Sequence, residues 1–441
     1  MFNKDKIVSI GLLMVLSLGL FVCTGLAQEE VELTFWHHEA PSHRVKAIQE
    51  VINKFEDEYP NIDIKQQVVS WGDAWSKTLS ATKAGTTPDF QLDIPDFNVF
   101  ASNIDSILPV DDVVQEIDEQ YNYFDNVIKM YKHGGHYWGV PINTMIFNWI
   151  YRPNYLREYV GTDQPPETWE EVVEYAEKLT VDKDGDGTPD IYGVGLVASK
   201  SLATQEFFWS ILTTYGGHVY DEEGNVDFDT PETIKALKTY KELWQYAPPA
   251  ATGWIWGEAE MNFAAGKIAM MPYFPSVQKR LYDADDMDLG SSPMPTPAEG
   301  GQQATLIYPN GIMIHKTAKE RGVVDEVKKF IKFVMKPENN AILTAGMEPG
   351  GFYPCTEAAR DSGSFWQNDY VKAFPRVNDV ALQEVQNGTL YGFTHEEVVN
   401  KGIGDVVGAN ILAEVVQRVI VQDQSVESAV EWAQKQIEEV S

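Results

Sequence analysis

Apolar and polar residues alternate from Val31 to Trp36, with Val31, Leu33 and Phe35 set against Glu32 and Thr34. A period of two predicts a half-buried strand. From Ser42, read as an N-cap, the spacing changes: Val45, Ile48, Val51, Ile52 and Phe55 recur at helical intervals until Tyr59-Pro60 ends the run. Residues 61–69 return to strand character through Ile62, Ile64, Val68 and Val69. Strand, loop, helix and strand make a βαβ unit, which implies a parallel sheet and a right-handed crossover. Ligands of such sheets sit beyond the carboxyl ends of the strands. That edge carries Trp36, His37 and His38 here.

Further along, Trp71-Gly-Asp-Ala-Trp75 opens a helix that Gly85 can close in the left-handed conformation, and residues 88–93 form a short strand. Trp71 and Trp75 are four apart on that helix, so one of the pair is expected in the core. Residues 142–151 read as one long apolar strand. Thr168-x-x-Glu171 is a capping box ahead of a helix, and Thr230-Pro231 places proline at a first helical position. Residues 305–315 are strand-like around Asn310-Gly311, residues 323–335 are an amphipathic helix, and two helices close the chain from about 404. Proline- or glycine-rich crossings near Pro141, Pro295 and Gly350 predict that the chain passes between two lobes three times.

At 441 residues the chain is long enough for two or three domains and a large core. Its first residues read differently. Lys4 and Lys6 precede an apolar run over residues 7–22, and Gly25-Leu26-Ala27 supplies small residues for cleavage, so residues 1–27 are expected to be a secretory signal peptide. The run is shorter than the ~20 residues of a spanning helix. Bulky Val22 before Cys23 disfavours a lipidated cysteine. The net charge is −32, and the segment to Ala27, holding Lys4, Lys6 and Asp5, contributes a net +1, so the remainder is more acidic still. Such a chain repels nucleic acid and anionic lipid, and no nucleic-acid partner is expected. Of two cysteines only Cys355 lies beyond the signal, so no intramolecular disulfide is expected.

Several short segments resemble the family 1 extracellular solute-binding proteins of ABC importers, the group of maltose-binding protein. They are Phe55-Glu-Asp-Glu-Tyr-Pro60, Ala84-Gly-Thr-Thr-Pro-Asp89, Leu108-Pro-Val-Asp-Asp112, Gly135-His-Tyr-Trp-Gly-Val-Pro141, Pro166-Glu-Thr-Trp169, Phe263-Ala-Ala-Gly-Lys-Ile-Ala-Met270 and Pro337-Glu-Asn339. They follow the family order and span nearly the whole chain. The pattern departs from the family at Asn310-Gly311 and at Ile150-Tyr151-Arg152. The resemblance implies a two-lobed α/β periplasmic-binding-protein fold of type II, with discontinuous lobes, a three-crossing hinge and a sugar between the lobes. The lobes are expected at 28–142 plus 297–352 and at 143–296 plus 353–441. It further implies a monomer outside the cytoplasmic membrane, in the periplasm or on the outer face, that delivers a carbohydrate to the transmembrane subunits of an ABC permease.

A sugar offers hydroxyls at its rim and an apolar C–H face, which aromatic rings and fixed polar groups match. The candidates at cleft-edge positions are Trp36, His37, His38, Asp96, Asn143, Trp254, Trp256, Tyr273, Phe274, Tyr308, Asn310 and Phe352. The loop Trp254-Ile-Trp256, between Gly253 and Gly257, is not explained by core periodicity. At Tyr273-Phe274 the family resemblance places an aromatic ligand contact. No cofactor is required, but Asp182, Asp184, Asp186, Thr188 and Asp190 fall at positions 1, 3, 5, 7 and 9 of an EF-hand-type loop with Gly187 at 6, so a structural Ca2+ is a candidate. Position 12 is Gly193, so the bidentate glutamate is absent. The competing class is a secreted glycoside hydrolase using a cleft carboxylate pair. Against it, the chain has no nucleophile elbow and no zinc-type histidine spacing, and a hydrolase leaves the hinge crossings unexplained.

Overall fold

The computed structural model describes residues 30–395 and 398–441; the expected signal peptide lies outside them. The first strand is β1 (Val31–His37), and helix α1 (Ser42–Glu58) leads to β2 (Ile62–Val68), which pairs parallel to β1 in register from Val31↔Ile62 to His37↔Val68. Leu33, Phe35 and His37 point into the core, and Ile48, Val51, Ile52 and Phe55 of α1 cover that face. Ser42 is already helical and Pro41 takes the cap position without a side-chain hydrogen bond, because proline's fixed φ starts the turn one residue earlier than the serine would. Helix α2 (Trp71–Ala84) ends at Gly85 with φ +66°. Strand β3 (Phe90–Asp93) follows, parallel to β1, and α3 (Pro95–Asn103) begins with proline in its first turn.

A hairpin, β4 (Lys132–His133) and β5 (His136–Tyr137), precedes β6 (Val140–Ile146). The expected single strand over 142–151 is broken at Phe147. Beyond it β7 (Asn148–Tyr151) joins a second sheet with β8 (Tyr192–Val194), β9 (Ile268–Tyr273) and β10 (Gly290–Ser292), in the order β10-β7-β9-β8. Strand β11 (Thr305–Ile314) then returns to the first sheet, ordered β12-β11-β3-β1-β2, where β12 is Gly388–Thr389 and β6 also pairs with β11. The amino-terminal half of β11 lies antiparallel to β6 and the rest to β3, with a register shift at Asn310/Gly311. A bulge of this kind bends the strand and increases its twist. Thr144 bridges Tyr353, so three chain segments lie side by side between the sheets.

The carboxyl-terminal segment touches both halves. Helix Ile411–Ile420 packs with helices Leu202–Leu212 and Val426–Val440, whereas helix Ile403–Gly408 lies against α3. Gly404 allows that approach: a Cβ there would stand 2.7 Å from Phe100 Cβ and 2.8 Å from the Asp96 carbonyl. Among the described residues no helix is long and apolar enough to cross a membrane.

Candidate functional site

Between the two sheets is a cavity of about 460 Å³. The loop after β1 supplies His38, Glu39 and Pro41, α1 supplies His43 and Arg44, and Trp71 stands at the start of α2. Tyr308 and Asn310 of β11 contribute to the lining. The second half contributes Leu202 and Glu206 from helix Leu202–Leu212, and Ile255, Trp256 and Glu260 around helix Trp256–Ala264. Tyr273 and Phe274 at the end of β9, with Arg280 and Glu348, complete the wall.

Of the twelve residues singled out from sequence, His38, Trp256, Tyr273, Phe274, Tyr308 and Asn310 line this cavity. The other six lie elsewhere. Trp36 faces away from the β1 core side and packs under Lys77, whose Nζ is 4.4 Å from its ring centre. His37 is buried, hydrogen bonded to Gln66 Oε1 at 2.8 Å, and burial lowers its pKa. Adjacent residues of a strand point to opposite faces, so the two neighbouring histidines diverge. Trp254 is not part of the lining, and its backbone carbonyl accepts from Ser199 Oγ at 2.6 Å. Phe352 is buried beneath Arg44, with the guanidinium carbon 5.0 Å from the ring centre. Asn143 and Asp96 stand behind residues that do line the cavity. Asn143 Oδ1 accepts from Asn310 Nδ2 at 2.9 Å, and Asp96 Oδ1 accepts from the Tyr308 hydroxyl at 2.5 Å.

The aromatic surface is fixed by its own contacts. His38 and Trp71 stack at 4.1 Å and Tyr273 on Phe274 at 4.3 Å, and the Tyr273 hydroxyl donates to the Trp256 carbonyl at 3.0 Å. His38 is pushed down to a pKa of about 4 by burial, so its ring is neutral and is hydrogen bonded to the Val69 carbonyl. Trp71 and Trp75 are both half-buried, so neither fills the core position expected of one of them. Trp75 instead edges a separate open depression of about 510 Å³ with Leu79, Phe100 and Val440.

Charged residues that periodicity does not reveal dominate the rim. Arg44 bridges Glu39 (2.7 Å) and Glu348 (2.6 Å), and these carboxylates hold its guanidinium charged against the opposing effect of burial. Arg280 pairs with Glu260, which also accepts from Ser276. Glu206 Oε2 accepts from Trp256 Nε1 at 2.5 Å. Burial pushes Glu206 up to about 8 and Asp96 up to about 7, so both carboxyls are largely or partly protonated at neutral pH.

In the loop 182–190 the carboxylates of Asp182, Asp184 and Asp190 come within 4.8 Å of one another, all exposed, without Asp186. Backbone amides occupy several of the oxygens: Gly185 and Gly187 donate to Asp182, and Lys183 to Asp190. Gly193, at the place of the twelfth ligand, is packed against Ala176 and offers no side chain.

Two α/β halves, each with its own sheet and with an aromatic cavity between them, define a two-lobed binding protein of the periplasmic type. The family model of the bacterial extracellular solute-binding proteins matches residues 40–341, and the chain belongs to that family. It is 24% identical over 449 residues to the putative ABC transporter periplasmic-binding protein YcjN of Escherichia coli K12, covering 99% of each chain. Among solved structures it resembles maltose-bound MalE3 of T. maritima with a TM-score of 0.77 and 20% identity, covering 93% of this chain and 100% of that one. A ribitol complex of an ABC transporter solute-binding protein from Agrobacterium radiobacter K84 gives 0.78 and 19%, covering 94% and 99%.

Proposed function

We propose that the chain is the extracytoplasmic substrate-binding protein of an ABC importer, that it takes a mono- or oligosaccharide into the cleft between its lobes, and that a membrane permease receives the liganded form. The observation that carries this reading is the wall itself. Trp71, Trp256, Tyr273 and Phe274 line a polar-rimmed cavity beside strand β11 of the first sheet. The lobes are taken as 28–142 plus 297–352 and 143–296 plus 353–441; the grouping of β1–β3 with β11 and of β7–β10 in separate sheets supports this division, whereas β12 and helix Ile403–Gly408 pack on the first half. Relatives are named for periplasmic binding, and the solved neighbours hold maltose and ribitol, which supports export and a polyhydroxyl ligand. Ligand binding shifts the population toward a closed form, and the chain acts as a monomer that leaves its ligand chemically unchanged.

A thermal-shift screen against a carbohydrate panel tests this, because a ligand of the native state raises its melting point by mass action. Glu206 has the protonation a general acid needs, so the bound sugar is also recovered and weighed. A raised midpoint with intact sugar supports the receptor. Shortened sugar supports a glycoside hydrolase, and no binder in the panel refutes the carbohydrate reading. The acidic loop is proposed as a structural calcium site, supported by the approach of Asp182, Asp184 and Asp190. Calorimetric titration of the chelator-treated protein should release or absorb heat at millimolar calcium, and a flat titration removes that site.

A further inference from the structure

The charge lining the cleft is unbalanced. Four glutamates (Glu39, Glu206, Glu260 and Glu348) face the cavity against two arginines. Both arginines are engaged, Arg44 by Glu39 and Glu348 and Arg280 by Glu260. His43 Nε2 stands 3.1 Å from Glu348 as well. Each guanidinium thus already faces a carboxylate, Arg44 through Nε and Nη1 and Arg280 through Nε. An anion seated here would have to share a guanidinium with Glu39, Glu260 or Glu348 and would sit close to their charge.

Glu206 is the carboxyl without a cation. It is 1% exposed and on the cavity wall. Its Oε2 takes the indole hydrogen of Trp256, and among the described residues no group donates to Oε1. The helix that carries it is buried along residues 203–212, so no lysine or arginine of that helix is at hand. Trp256, Tyr273 and Phe274 line the same wall. A carboxylate beside aromatic faces is the surface that desolvates and holds an ammonium group. An uncharged hydroxyl also hydrogen bonds a carboxyl, but it leaves Glu206 either neutral or ionised without a counter-charge, whereas an ammonium supplies the partner that the protein withholds.

Building on the saccharide reading above, we infer that the cleft takes a saccharide carrying a protonated amine, seated against Glu206, and rejects sugar phosphates and uronic acids. The negative charge of the whole chain would favour approach of such a cation. The test uses matched sets at pH 7: glucosamine and its β-1,4 disaccharide, their N-acetylated counterparts, glucose and cellobiose, and glucose 6-phosphate and glucuronate. Each is ranked by thermal shift, and the binders are measured by calorimetry on the parent chain and on Glu206→Gln. The amine is expected to bind about tenfold or more tighter than its N-acetylated partner, the anions not at all, and the variant to lose most of that ratio. Neutral or anionic members binding as tightly as the amine overturn this inference and leave the saccharide reading standing. A ratio unchanged in a Glu206→Gln protein of normal circular dichroism overturns the role of Glu206. Binding by no saccharide of any charge refutes the saccharide reading itself.

Discussion

Replacing Glu206 by glutamine should stabilise the protein, and the gain should grow with pH. The carboxyl titrates near 4.5 when free but is pushed up to about 8 in the fold, chiefly by burial. Between those values the unfolded chain has released a proton that the native state still holds. Native stability therefore falls as pH rises through that window. Each unit costs about 1.4 kcal/mol, so the parent carries a penalty of under about 1 kcal/mol at pH 5 and of order 3 kcal/mol at pH 7, levelling off above pH 8. Glutamine does not titrate and its amide oxygen can still accept from Trp256 Nε1, so the variant escapes the penalty while retaining the hydrogen bond. Thermal unfolding followed by circular dichroism at half-unit steps from pH 4.5 to 8.5 measures the difference. The two midpoints should coincide near pH 4.5 and separate by several degrees at pH 7.5, the variant melting higher. A constant offset across the range, or a variant that melts lower at pH 7, would refute the reasoning that Glu206 is held neutral by burial.

Removing the Arg44 guanidinium with Arg44→Ala leaves Glu39 and Glu348 buried without their shared cation, a change expected to cost about 3–5 kcal/mol and to lower the melting point by several degrees. A loss no larger than that of an exposed ion-pair mutant such as Lys435→Ala would contradict it. His315, hydrogen bonded to Ser106 and Gln91, is pushed down to about 4 by burial, which disfavours its charged form. Its unfolded form gains a proton below about 6.5, so this contribution to stability is lost as pH falls from there toward 4. The midpoint deficit of His315→Gln relative to the parent should accordingly shrink across that window; a deficit that stays constant would show that His315 does not titrate as burial requires.

Elements defined by periodicity were legible, and those defined by long-range contact were not. The alternation of Val31, Leu33 and Phe35 and the spacing of Ile48, Val51 and Phe55 predict the strand and helix observed, because both patterns are local consequences of a face turned to a core. The break at Phe147 has no local signature: residues on either side are apolar, and only pairing with β11 on one side and β9 on the other divides them. The cleft shows the same limit. Trp254 and Trp256 are equivalent in composition, yet only Trp256, at the start of helix Trp256–Ala264, lines the cavity. Arg44 and Glu348 are more than three hundred positions apart, and nothing in either neighbourhood announces the pair. Glu206 did carry a signal. It is an acid in the helix Leu202–Leu212, among Phe207, Phe208, Trp209 and Ile211, where no polar face exists to receive it. A carboxyl in such a helix needs either a partner or a ligand.

Titration calorimetry of the saccharide selected by the panel, run on the parent chain and on Trp256→Ala, bears most directly on the claim that the cavity between the halves is where the solute is held. One molecule should bind per chain, and loss of the indole face should weaken it by about tenfold or more, equivalent to about 1.4 kcal/mol. Equal affinity in a variant with an unaltered circular dichroism spectrum would place the binding site outside this cavity and contradict the account.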